Sequence, residues 1–215
     1  MMWTLQMKLL LPALLGVGFA AAQQKPNIVF IITDDQDLHL GSLETMEVVQ
    51  REIVSKGASF SNHWATTAQC CPSRTSILRG QQAHNTNITD VKEPGGNYDK
   101  WVAAGLDENY LPHWLGNAGY HTEYMGKLIN NLNLANYNKP VPKGWTNIDM
   151  LIEPYMYDFQ NPLFSWNGDR PVKYTDWHQL DVMRIKAVNR IKDMASKDKP
   201  FFYGIAPTAP RKPTP

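Results

Sequence analysis

Apolar and polar positions change period several times along this chain, and each change predicts an element. Pro26 to Thr33 is a short, β-branched, continuously apolar run, the pattern of a strand covered on both faces in a parallel sheet. It stops abruptly at Asp34-Asp35-Gln36-Asp37. From Met46 to Lys56, Val48, Val49, Ile53 and Val54 recur at roughly helical spacing, and Gly57 closes the helix. Ala58 to Ala65 alternates and predicts a second strand. The chain then reaches Cys70-Cys71-Pro72-Ser73-Arg74, where proline at a first helical position marks a helix start just after the thiols. Its apolar turn, Ile77-Leu78, ends near Gly80. Strand, helix, strand, helix is the doubly wound order.

The second half continues the alternation less regularly. Gln81 to Leu106 is rich in Gly and Asn and reads as an irregular surface loop. Asn109 to Gly119 carries Tyr110, Leu111, Trp114 and Leu115 on one face, a helix. Tyr120 to Met125 is strand-like and stops at Gly126-Lys127. Asn130 to Trp177 is long, weakly periodic and full of Asn, Pro, Tyr and Trp, so it reads as an aromatic-lined loop region suited to substrate contacts or to packing. Val182 to Ala195 is an amphipathic helix, and Pro200 to Ala206 another apolar strand. The expected fold class is α/β, with a mixed, mostly parallel sheet flanked by helices.

Composition narrows the function. The 215 residues are 43% hydrophobic, enough for one core, and carry 21 basic against 20 acidic residues, a net charge of +1. The basic residues are scattered, which excludes a nucleic-acid partner read through a basic face. Residues 1–22 read as a secretory signal peptide: Lys8, the apolar run Leu9 to Phe19, then Ala20-Ala21-Ala22 as a small-residue cleavage site. That run is too short for a membrane span. Asn87-Ile88-Thr89 is a glycosylation acceptor at Asn87, in keeping with a secreted protein or one held in a lysosome- or vacuole-like compartment.

Export makes the cysteines informative. Cys70 and Cys71 are the two cysteines, and they are neighbours. Their Cα atoms lie ~3.8 Å apart, closer than the ~4.4–6.8 Å an unstrained disulfide spans. Thiols that do not pair in an oxidising compartment need another fate: burial, a partner chain or chemical modification. Cys70 falls near a helix N-terminus with Arg74 one turn in, so the residues alone predict a low-pKa thiolate beside an anion site. Asp34 and Asp35 repel one another unless a cation or protons neutralise them, and they follow a strand, where ligands gather in α/β sheets. Lys127 places a cation at a second strand end.

These residues resemble the sulfatase family. Cys70-Cys71-Pro72-Ser73-Arg74 with Leu78 and Gly80 matches the signature C-x-P-S-R-x-x-x-L-x-G. Asn27 to Asp37 resembles the family's opening strand and Asp-Asp motif, and Gly126-Lys127 its sulfate-contacting segment. The similarity is greatest to secreted arylsulfatases and to the N-acetylglucosamine-6-sulfatase branch, and runs from about Pro26 to Pro210. The resemblance implies an alkaline-phosphatase-like sandwich, with 26–215 as the N-terminal portion of a catalytic domain. It implies that a formylglycine-generating enzyme oxidises Cys70 to formylglycine, whose hydrate attacks sulfur. Asp34 and Asp35, with the modified Cys70, match ligands of Ca²⁺. Arg74 matches the residue that holds the formylglycine, and Lys127 one that neutralises sulfate oxygens. The implied reaction is hydrolysis of a sulfate ester, of the arylsulfatase type.

Two departures accompany the match. Ala206-Pro207-Thr208-Ala209-Pro210 fits the family run A-P-x-A-P-H, but Arg211 stands where a sulfate-contacting His is expected. Arginine binds sulfate but donates no proton at neutral pH. The Asp-Asn pair and the later Lys that complete the family's site have no match in these 215 residues. The expectation is a truncated chain, from a gene-model break or an early stop, with impaired activity. A formylglycine-dependent phosphodiesterase or phosphonate hydrolase and a secreted inactive fragment or pseudo-enzyme are the alternatives.

Overall fold

The computed structural model describes residues 25–211. The expected signal peptide at residues 1–22 lies outside the described residues. Six strands form one sheet in the order β1-β6-β2-β3-β4-β5. These are β1 (Ile28–Ile31), β2 (His121–Gly126), β3 (Asn147–Leu151), β4 (Leu163–Trp166), β5 (Val172–Lys173) and β6 (Phe201–Ala206). β1, β6, β2 and β3 run parallel, and β4 and β5 join antiparallel. The mixed, mostly parallel α/β sheet expected from the sequence is the observed architecture.

Helices cover both faces, and period-two alternation divides the core between them. Tyr124, Ile148 and Met150 point into one cluster with Trp101, Tyr98, Tyr110 and Leu78. Met125, Leu151, Phe201 and Tyr203 point into the other, against Val182, Met183 and Met194 of α6 (Gln179–Ala195). The first layer is built from α2 (Cys70–Arg79), α3 (Ala83–Thr86), α4 (Tyr98–Ala103) and α5 (Leu111–Asn117). The remaining helix, α1 (Glu47–Glu52), contains no buried residue.

Several expectations fail for identifiable reasons. Ala58 to Ala65 is turn and coil, with Phe60 and Trp64 exposed, because no described strand offers it a ladder partner. No strand therefore separates α1 from α2, and the doubly wound order breaks at that point. Gln81 to Leu106 is not a surface excursion: it contains α3 and α4 and buries Ile88, Tyr98 and Trp101 completely. Between residues 130 and 177 lie β3, β4 and β5, whose short antiparallel segments leave too few alternations to detect. Tyr137 and Trp145 of that region pack against the core, whereas Trp177 is exposed.

β1 is the clearest correction. It pairs with β6 on one side, and its other edge carries no partner among the described residues. Val29 is 44% and Ile31 54% exposed, so the run that reads as doubly covered is uncovered here. An open apolar edge is a template for association. Val29→Lys is expected to reduce self-association of the 215-residue chain in sedimentation velocity, with stability changed by less than about 0.5 kcal/mol.

Candidate functional site

The carboxyl ends of β1, β6 and β2 bring the predicted residues together. Beyond β1, Ile32 N–H still donates to Ile205 O (2.9 Å), and Asp34 N–H donates to Ala209 O (3.0 Å). That second bond holds the segment after β6, and with it Arg211, beside the two aspartates. Asp35 has φ +56, a left-handed backbone that Asp tolerates better than most residues. Asp34 is buried and Asp35 exposed.

α2 starts at Cys70, two residues before the position that proline marked. Gln69 is the N-cap, so Pro72 is the third helical residue, still within the turn where a backbone N–H has no intrahelical acceptor. Gly80 ends the helix in the left-handed conformation, its N–H donating to Ser76 O. Cys70 thus projects at the helix N-terminus, and its Sγ lies 3.5 Å from Asp34 Oδ1 and 3.7 Å from Asp35 Oδ1. Cys71 points into the core, and both thiols are free.

Arg74 and Lys127 lock the aspartate from inside. Arg74 Nη2 donates to Asp34 Oδ1 (3.1 Å) and Nη1 to the Lys127 carbonyl (2.6 Å). Lys127 Nζ donates to Asp34 Oδ2 (2.8 Å), and the ammonium is fully buried. Tyr124 Oη donates to the same Lys127 carbonyl (2.7 Å). Gly126 makes this turn possible: its φ is +110, and a Cβ there would lie 2.1 Å from Ala206 O. A pocket of about 310 Å³ opens in front, lined by Asp34, Asp35, Gln36, Gln69, Cys70 and Arg74 among others.

The electrostatics explain why the thiol is not a low-pKa nucleophile. Burial pushes the Cys70 thiol up; Lys127 opposes this, but the Asp34 and Asp35 carboxylates reinforce it. Helix N-terminus and Arg74 therefore do not yield a stable thiolate, because the sulfur is part-buried and the aspartates reach it. Cys71 is pushed up to about 12, chiefly by burial. Burial also acts to raise Asp34, but the charges and hydrogen bonds of Arg74 and Lys127 outweigh it and hold the carboxyl below its ordinary value.

That depression has a sign. A carboxylate with a lowered folded pKa contributes stability that is complete above its unfolded value, about 3.9, and is lost as pH falls through the folded value. Asp34→Asn is therefore expected to lower stability near neutral pH and to flatten acid unfolding below about pH 4. Urea melts at graded pH would show both.

The donor set fits a hard divalent cation in part. Ligand atoms of Asp34, Asp35 and Cys70 all lie within 4.8 Å of one another. Two carboxylates suit Ca²⁺, which takes about 6–8 oxygens, whereas a thiol does not. These residues offer one side of a coordination shell, and an oxygen function at position 70 would extend it.

Sequence reasoning reached Asp34, Asp35, Cys70, Arg74, Lys127 and Arg211, and all six meet here. Arg211 Nε lies 3.7 Å from Asp35 Oδ2. Tyr157 was missed. Its ring lies 5.2 Å from Lys127 Nζ and 4.4 Å from the Arg211 guanidinium. One tyrosine in a weakly periodic, aromatic-rich stretch carried no signal that it faced the site.

A parallel α/β sheet with paired carboxylates, a thiol and buried cations at its strand ends defines a class built to handle an anionic ester. The family model described as Sulfatase matches residues 26–213, and the chain belongs to the sulfatase family. It is 45% identical over 212 residues to an arylsulfatase of Volvox carteri, covering 95% of this chain and 32% of that protein. It is 32% identical to human N-acetylglucosamine-6-sulfatase, covering 95% of this chain and 38% of that one. A solved structure in complex with its substrate D-glucosamine-2-N,6-O-disulfate superposes with TM-score 0.67 at 26% identity, over 87% of this chain and 35% of the other. The structure of Ps i-CgsB with k-i-k-neocarrahexaose shares the fold at TM-score 0.67 and 20% identity, over 88% and 46%. The chain thus spans about a third of the length of the curated arylsulfatases it matches.

Proposed function

We propose that residues 26–215 supply the N-terminal portion of a sulfatase catalytic domain that hydrolyses sulfate esters, of the arylsulfatase type. The observation that carries this reading is the convergence of Cys70, Asp34, Asp35 and Arg74 on one pocket of about 310 Å³, with Lys127 bonded to Asp34 behind it. In this reading a formylglycine-generating enzyme converts Cys70 to the aldehyde, whose hydrate supplies a nucleophilic hydroxyl and a second O–H. The first hydroxyl would take the sulfuryl group as the alcohol or phenol departs, and the second O–H would give the sulfated residue a way to release sulfate, an exit that a plain alcohol lacks.

The chain's own residues then have distinct tasks. Arg74, anchored on Asp34 and the Lys127 carbonyl, fixes the helix end that presents residue 70. Lys127 offers positive charge to sulfate oxygens from a dry site, where it acts more strongly than in water. Asp34 and Asp35 would hold Ca²⁺, which supplies charge to polarise the sulfate and favour the ionised diol. The exposed Asn87, with Thr89 exposed beside it, is accessible for glycosylation, and signal-directed export through residues 1–22 belongs to the same reading. Relatives include a protein named Extracellular sulfatase SULF-1 homolog of Drosophila melanogaster. Among the described residues no helix is long and apolar enough to cross a membrane.

Comparing nitrophenyl sulfate with nitrophenyl phosphodiesters tests the reaction class, using the chain alone and a form completed to the length of its curated relatives. Sulfate turnover by the completed form, with little or none by the 215-residue chain, is the expected result. Preference for the diester would instead identify a phosphodiesterase. Intact mass retaining an unmodified Cys70, with no turnover by either form, would identify a pseudo-enzyme.

A further inference from the structure

Three cations face two carboxylates at this site, and two of the cations are committed. Arg74 and Lys127 each bond one oxygen of Asp34. Arg211 is different. Its Nε stands 3.7 Å from the exposed Asp35 carboxylate, and among the described residues its side chain donates no hydrogen bond within 3.5 Å. Its guanidinium is seated on the ring of Tyr157, 4.4 Å from the centroid. The fork is therefore placed but its donors are unspent, the condition of an arginine ready for an oxyanion.

Tyr157 is itself fixed. Its hydroxyl accepts from Asn130 Nδ2 (3.1 Å) and donates to Glu153 Oε1 at 3.3 Å, and that same oxygen accepts the Asn131 N–H (2.9 Å). Asn131 and Asn130 follow closely on Lys127, so the segment that places Lys127 also anchors the ring. Lys127 Nζ lies 5.2 Å from the same ring. One aromatic ring thus contacts two cations that follow separate strands.

We infer that Tyr157 is a positioning residue whose ring holds the Arg211 guanidinium next to Asp35 as an oxyanion clamp for the sulfate group. The inference rests on the sulfate-ester reading and names a residue that the family motifs do not include. A guanidinium offers donors and no acceptor, so the clamp serves to bind an anion.

The test is inorganic sulfate binding by the purified chain, followed by calorimetry in calcium chloride. Tyr157→Leu removes the ring face and is expected to weaken sulfate binding about tenfold, while Tyr157→Phe keeps the face and stays within about twofold of the parent. In an Arg211→Ala background, Tyr157→Leu is expected to add less than about twofold, because the ring then has no guanidinium to hold. Equal binding by the parent and Tyr157→Leu overturns the inference alone. So does a tenfold loss that persists without Arg211, which marks a structural role. Absence of sulfate binding by the parent overturns this inference, whereas the sulfate-ester reading stands or falls on nitrophenyl sulfate turnover by the completed form. Should Tyr157→Leu fail to fold, Arg211→Ala alone decides: parental affinity would eliminate the clamp.

Discussion

Arg74→Met is expected to destabilise the chain by about 2–4 kcal/mol, the cost of removing one of the two buried cations that hold Asp34 and a donor to the Lys127 carbonyl. Arg74 is 4% and Asp34 3% exposed, so water cannot replace the lost partner. The guanidinium also serves the Lys127 carbonyl at 2.6 Å, and its removal leaves Tyr124 Oη as that oxygen's side-chain donor. Against a typical total of about 5–15 kcal/mol, this loss brings the chain close to unfolding at room temperature. Urea denaturation would measure it. Adding Asp34→Asn should not recover the loss, because it takes the carboxylate away from the fully buried Lys127 ammonium. Arg74→Lys should recover less than full stability, since a single ammonium cannot reach both Asp34 and the carbonyl as the fork does. A stability change under about 1 kcal/mol for Arg74→Met would contradict the buried-pair account.

Cys70→Ala is expected to remove sulfate-ester turnover by at least about 10³-fold in the form completed to its relatives' length, since no covalent route then exists. The fold should survive, because residue 70 is the first helical position and alanine is a good helix former. Cys70→Ser separates the chemistry from the geometry. A serine hydroxyl can attack sulfur but has no second hydroxyl to expel sulfate, so the serine sulfate ester should accumulate on the enzyme and appear in the intact mass. Steady turnover by the serine variant would contradict the proposed aldehyde hydrate. The raised pKa of the unmodified Cys70 thiol points the same way: two carboxylates within 3.7 Å oppose a thiolate there.

Part of this site is legible because local sequence dictates it. Cys70 and Arg74 share one helix, one turn apart, so their common direction follows from α-helical period. Asp34 follows an apolar run and Lys127 a strand-ending glycine, and parallel strand ends converge in such sheets. Other features could not be read. β1 pairs with β6, far away in sequence, and sits at an open edge, although its run of Ile and Val looks like an interior strand. Ala58 to Ala65 alternates as a strand does yet finds no ladder. Tyr157 reaches the site through a short 3₁₀ turn, Tyr155–Tyr157, with no periodic pattern around it.

The amino-acid order alone pointed to Asp34, Asp35, Cys70, Arg74, Lys127 and Arg211, to the helix that carries Cys70 and to the parallel character of the sheet. Each rests on spacing within a few residues or on hydrophobic period. Folding in three dimensions decided the rest. It part-buried the Cys70 sulfur and placed both aspartates against it, which together raise the thiol's pKa. It divided labour among the cations, committing Arg74 and Lys127 to Asp34 and seating Arg211 on Tyr157. The reason is physical: charge–charge and cation–ring energies depend on distances between groups far apart in sequence, and those distances exist only once the sheet has assembled.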